Sequence, residues 1–101
     1  MNLSKLLQYD LANETLILFG YTPFCGTCKL AEKMLDITTA SIDITVMKID
    51  LNYYEKLSKY YEIQSVPVML FVTNGEVRDI SYKFDSVTTL YENINFMLTK
   101  T

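Results

Sequence analysis

Cys25 and Cys28 stand in the stretch Thr22 to Lys29 (TPFCGTCK), and the chain of 101 residues contains no other cysteine. A C-x-x-C pair admits three uses. It can supply two of the four ligands of a structural zinc site. With no histidine and no third cysteine in the chain, that site would need carboxylates or a second subunit. The pair can also fill core volume as two unreactive thiols. The third use is redox chemistry, in which one thiolate attacks a disulfide and the other resolves the adduct.

The surrounding elements favour the third use. Thr15 to Tyr21 (TLILFGY) is a short continuous apolar run, the pattern of a strand buried on both faces. Pro23 marks a turn, and from about Cys25 to Ala40 the residues Cys28, Ala31, Met34 and Leu35 share one helical face. Cys25 therefore falls at a helix N-terminus, where unpaired N–H groups and the macrodipole favour an anion. A free thiol with a pKa of about 8.5 is only a few per cent ionised at neutral pH, and bringing it to ~7 takes roughly 2 kcal/mol. The macrodipole offers about 0.3–1 kcal/mol and up to ~2 in favourable settings, with local amides, the second thiol and Lys29 as further contributors. One turn on, Cys28 lies within disulfide range of Cys25. As a staple, a ring of four residues would contribute only about 2 kcal/mol, so the spacing suits chemistry better than stability.

The remaining elements follow from pattern. Leu3, Leu6, Leu7 and Leu11 recur at helical spacing. Ile44 to Ile49 is β-branched and predicts a second buried strand. Tyr53, Tyr54, Leu57, Tyr60 and Tyr61 predict an amphipathic helix whose tyrosines face the core rather than a recognition surface. Val66-Pro67 opens a third strand, Val68 to Thr73, and Asn74-Gly75 signals a type I′ hairpin into a strand from Glu76 to Lys83. Ser86 is placed to cap a last helix with Val87, Leu90, Tyr91, Ile94, Met97 and Leu98 on its apolar face. The order is α-β-α-β-α-β-β-α in a single domain, residues 1–101, with parallel pairing expected across both helical connections and an antiparallel edge from the hairpin.

Composition narrows the partners. Half of the residues are hydrophobic, 13% are aromatic, and the formal net charge is −3. That is enough apolar material for a core, and there is no basic run for nucleic acid or an anionic membrane. The expected compartment is the cytoplasm, because no secretory leader pattern precedes the first helix, no apolar run approaches a bilayer span, and structural disulfides are rare there.

Phe24-Cys25-Gly26-Thr27-Cys28-Lys29 resembles the W-C-G-P-C-K active site of thioredoxins. Val66-Pro67 before an apolar strand, and then Asn74-Gly75-Glu76, are similar to that family's proline strand and hairpin. The resemblance runs from about residue 3 to residue 98. It implies the thioredoxin fold, an α/β arrangement with a central mixed four-stranded sheet, open to a short extra N-terminal strand, flanked by helices. It implies Cys25 as exposed nucleophile, Cys28 as buried resolving thiol, a cis Val66–Pro67 peptide, and a substrate-binding surface of Phe24, Gly26, Thr27, Val66 and Pro67. The implied activity is a thiol–disulfide oxidoreductase that reduces protein disulfides as a monomer. It would use no metal or organic cofactor and be recycled by a thioredoxin reductase-type or low-molecular-weight-thiol system. A glutaredoxin-like enzyme and a non-enzymatic binding module on the same fold are the alternatives.

Four positions depart from the family. Phe24 replaces its tryptophan, and Thr27 replaces the proline between the cysteines, which must change the redox potential in a direction the sequence leaves open. Phe84 falls near a glycine beside the groove, where a bulky ring would narrow access. Phe19 stands where the family has a buried aspartate that helps deprotonate the resolving cysteine. Lys48 and Asp50, at the end of the second strand, are the ionisable residues considered as substitutes, and neither is assigned the role.

Overall fold

The computed structural model describes residues 2–100. The elements are helix α1 (Leu3–Leu7), strand β1 (Thr15–Tyr21), helix α2 (Gly26–Thr39), strand β2 (Thr45–Asp50), a 3-10 turn (Leu51–Tyr53), helix α3 (Glu55–Tyr60), strands β3 (Val68–Thr73) and β4 (Glu76–Ser81), and helix α4 (Val87–Lys100). The strands form one sheet in the order β2-β1-β3-β4. Among the described residues it has four strands, with no extra N-terminal strand; the chain before β1 forms α1.

β1 pairs with β2 in parallel and with β3 antiparallel, so the sheet is mixed. The parallel pairing expected across the second helical connection is therefore corrected. The chain leaves β2 at one edge, passes through the six-residue α3, and re-enters on the far side of β1 running the other way. β3 and β4 then form the predicted hairpin. Its two turn residues, Asn74 (φ 52°) and Gly75 (φ 77°), both lie in the left-handed region that a type I′ turn demands.

The core has two layers, one on each side of the sheet. Leu16 and Leu18 of β1 face α1 and α3 with Leu70 and Val72 of β3, while Ile17 and Phe19 face α2 and α4 with Met69 and Phe71. Successive side chains of a strand point to opposite faces, which is why central strands β1 and β3 are continuous apolar runs.

Three local expectations need correction. β2 is an edge strand, with Thr45 and Lys48 exposed and only Ile49 fully buried, so β-branching there marks strand and not depth. The tyrosine helix is broken at Tyr54 (φ −132°, ψ 51°). Tyr54, Leu57 and Tyr61 share one helical face and pack on the core, whereas Tyr53 is 82% exposed and Tyr60 also lies outside. In α4, Leu90 and Ile94 are buried but Tyr91 is exposed. Ser86 does cap this helix, its Oγ accepting the Thr89 N–H at 3.1 Å.

Candidate active site

β1 ends at Tyr21, a turn through Pro23 and Phe24 follows, and α2 starts at Gly26. Cys25 sits between them as the N-cap residue, in extended conformation (φ −112°, ψ 104°). An N-cap side chain is aimed at the free N–H groups of the first turn. Here the cap is sulfur: Cys25 Sγ accepts the Cys28 N–H at 3.1 Å. The first turn of α2 holds no acidic residue, so no carboxylate there offsets the positive end of the helix dipole.

The two cysteines form a disulfide, their Cα atoms 5.2 Å apart. They differ sharply in exposure. Cys25 is half-buried at the mouth of the turn, whereas Cys28 is only 3% exposed, on the helix face that continues through Ala31 and Leu35 into the core. The Thr27 hydroxyl lies 3.3 Å from Cys25 Sγ.

The Val66–Pro67 peptide is cis. Val68 stands opposite Gly20 in the β1–β3 register, so one step further places Pro67 opposite Tyr21, beside the strand end from which the cysteine turn departs. Gly20 makes that approach possible. A Cβ there would lie 2.8 Å from Val68 Cγ1 and 3.0 Å from Leu51 Cδ1. This residue was not singled out from sequence, although a glycine inside an apolar strand is a recognised sign of close backbone approach.

Phe24, Gly26 and Thr27 are exposed around Cys25, and Val66 and Pro67 are half-buried on the neighbouring strand approach. Phe84 does not simply stand in a groove. Its half-buried ring meets Phe19 edge to face, with centroids 5.7 Å apart. Phe19 is fully buried and also stacks with Tyr21.

The ionisable residues near the second strand are engaged elsewhere. Lys48 Nζ lies 2.9 Å from Glu32 Oε2 and 3.0 Å from Asp36 Oδ1, both on α2. The Glu32 contact, then that of Asp36, holds the ammonium pKa above its ordinary 10.5 against a smaller opposing effect of burial. Asp50 Oδ1 accepts the Asn52 N–H at 3.0 Å. Among the described residues, no three His, Cys, Asp or Glu side chains gather where they could hold a metal. No helix there is long and apolar enough to cross a membrane. A groove of about 290 Å³ between β4 and α4, lined by Met69, Phe71, Arg78 and Lys100 among others, includes neither cysteine.

Comparison with known proteins agrees with this geometry. The sequence model of the thioredoxin family matches residues 4–95. A thioredoxin-like protein of Bacillus subtilis, YusE, is 39% identical over 96 residues, covering 91% of this chain and 91% of that protein. The fold is similar to that of a malaria parasite thioredoxin-2, with a TM-score of 0.73 and 20% identity over 86% of each chain. It is also similar to a mutant thioredoxin from Halobacterium salinarum, with a TM-score of 0.71 and 23% identity over 81% of this chain and 73% of the other.

Proposed function

This chain belongs to the thioredoxin family, and from that premise we propose that it reduces protein disulfides through a Cys25/Cys28 dithiol–disulfide cycle. Membership and the disulfide-forming pair support thiol–disulfide oxidoreduction in general. The observation that carries the finer reading is the asymmetry of the pair: an accessible sulfur capping a helix, with its partner buried one turn behind.

In this cycle the Cys25 thiolate attacks one sulfur of a substrate disulfide. A Cys25–substrate disulfide forms, the substrate S–S bond breaks, and the second substrate sulfur leaves as a thiolate that takes a proton from water. Cys28 gives its proton to water, since position 19 is hydrocarbon, and attacks Cys25 Sγ. The mixed disulfide breaks and the substrate sulfur that Cys25 had attacked leaves as a thiolate, which takes up the second proton. Two electrons have passed to the substrate, and Cys25 and Cys28 are joined.

Phe24, Gly26, Thr27, Val66 and Pro67 form the surface on which an extended substrate segment lies beside the nucleophile, in the manner of strand addition. Proline offers no N–H there, leaving the Val66 backbone to pair with substrate. A thioredoxin reductase-type or low-molecular-weight-thiol system regenerates the dithiol. The protein works as a cytoplasmic monomer of one domain, without metal or organic cofactor. Insulin reduction by the wild type, its loss in Cys25→Ser, and covalent trapping of substrates by Cys28→Ser test the reading. A wild type that leaves insulin disulfides intact overturns it.

A further inference from the structure

We propose that Tyr82 is a positioning residue for the substrate: its hydroxyl accepts the Gln64 N–H and so holds the loop that presents Val66 and Pro67 beside the cysteine turn. The inference rests on the disulfide cycle above and adds to its site a residue just beyond β4. Tyr82 Oη lies 3.1 Å from the Gln64 nitrogen, across 18 residues of sequence. Nothing in the sequence pairs these two residues; they meet because β3 and β4 run side by side.

The loop is anchored at both ends. At its start the Tyr61 N–H donates to Leu57 O at 3.1 Å and the Ile63 N–H to Ser58 O at 2.9 Å, which ties residues 61–63 to α3. At its end the sheet ladder begins with Val68 opposite Gly20. Residues 64–67, which include the cis peptide, lie between these anchors and belong to no helix or strand. The last β3–β4 pair is Met69 with Ser81, so one step further sets Tyr82 beside Val68. Alternation along a strand turns Tyr82 to the same face as Ile80, the core layer on which Ile63 and Val66 also pack. β3 lies between β1 and β4 in the sheet, and the approach to Pro67 is flanked by Tyr21 on one side and Tyr82 on the other.

The tether acts where packing is thin. Gln64 and Ser65 are exposed, and Val66 and Pro67 are only half-buried. An extended substrate segment pairs with the Val66 backbone only when the loop holds that backbone toward it. Where the competent conformation is partly populated, the apparent dissociation constant rises by the inverse of its population. One net hydrogen bond corresponds to about a fivefold factor in such an equilibrium. The bond touches neither cysteine, so it governs substrate binding and not the exchange of sulfur.

The test compares wild type with Tyr82→Phe, which keeps the ring and removes the hydroxyl, both shown to be folded by thermal melting. Pre-reduced protein is mixed with increasing concentrations of insulin. Each turnover passes two electrons to an insulin disulfide and leaves Cys25 joined to Cys28. The half-saturating insulin concentration is expected to rise about fivefold in Tyr82→Phe, with the limiting rate unchanged. Reduction of a small aromatic disulfide and alkylation of Cys25 by iodoacetamide should keep their wild-type rates. In hydrogen exchange followed by NMR, the Gln64 amide should exchange about fivefold faster in the variant. An unchanged half-saturating concentration overturns the inference, as does unchanged exchange at Gln64. A fall in the limiting rate alone, or an equal loss on the small disulfide, also overturns it by placing the effect in the chemistry. Insulin reduction by the wild type separates the two levels. Its absence overturns the cycle and the assignment with it, whereas its presence with an unmoved Tyr82→Phe protein overturns only the role of Tyr82.

Discussion

Phe84 rests edge-on against Phe19, with ring planes at 87° and centroids 5.7 Å apart. Two departures from the family pattern thus touch each other. The apolar residue that takes the place of a buried carboxylate is covered by the bulky residue near the expected glycine. Aromatic pairs in this arrangement contribute about 0.5–1.5 kcal/mol beyond their buried area. Phe84→Ala is expected to cost about 2 kcal/mol, less than a fully buried ring would. A double-mutant cycle with Phe19→Leu should give a coupling near 1 kcal/mol in urea unfolding. Zero coupling would show the contact to be incidental.

Restoring the family's carboxylate should not restore its chemistry. Phe19→Asp buries an ionisable group among Ile17, Leu35, Phe71 and Leu90 and leaves a cavity where a ring was. The expected loss is ~4 kcal/mol or more, combining cavity and desolvation costs. A stable Phe19→Asp protein that resolves mixed disulfides faster than wild type would contradict this.

Gly20→Ala tests the strand contact that sets Pro67 beside the cysteine turn. The new Cβ would press on Val68 and Leu51 at 2.8–3.0 Å. Overpacking of this kind costs about 1–3 kcal/mol. Because Val68 directly follows Pro67, insulin reduction should fall along with stability. Unchanged melting and unchanged activity together would show that the strands separate without strain.

Phe24 is wholly exposed, so its removal should leave folding intact. Phe24→Ala is expected to change stability by less than about 0.5 kcal/mol. On a protein disulfide it should lower kcat/KM by about fivefold, the loss typical of an apolar contact residue. Reduction of a small aromatic disulfide should be affected less. Equal loss on both would place the effect in the chemistry and not in substrate contact.

Lys48 ties β2 to α2 through Glu32 and Asp36. Its pKa is raised in the folded protein, so its contribution is complete below 10.5 and is lost as pH climbs through the folded value. With the side chain one-third exposed, Lys48→Met should cost under ~1 kcal/mol. Urea midpoints should show a constant gap from about pH 7 to 9 that narrows above 10.5. A gap that widens there would contradict the assignment.

Much of this protein was legible in its residues. The continuous apolar runs of β1 and β3, the Asn74-Gly75 turn and the Ser86 cap each obey a rule acting over a few neighbours, and the structure places all of them as those rules require. The position of Cys25 at a helix start was equally local, because a strand, a turn and an amphipathic stretch follow one another in sequence. Tertiary structure decided the rest. The direction of β3 depends on where the chain crosses the sheet, and the exposure of β2 on which strand ends at the edge. Tyr53 and Tyr61 have the same chemistry, yet Tyr53 is exposed and Tyr61 is partly buried against the core. The meeting of Phe19 with Phe84, the closeness of Gly20 to Val68 and the aim of the Thr27 hydroxyl at Cys25 are distances. Residue type and spacing specify what a side chain can do; only the packed chain brings two of them within reach.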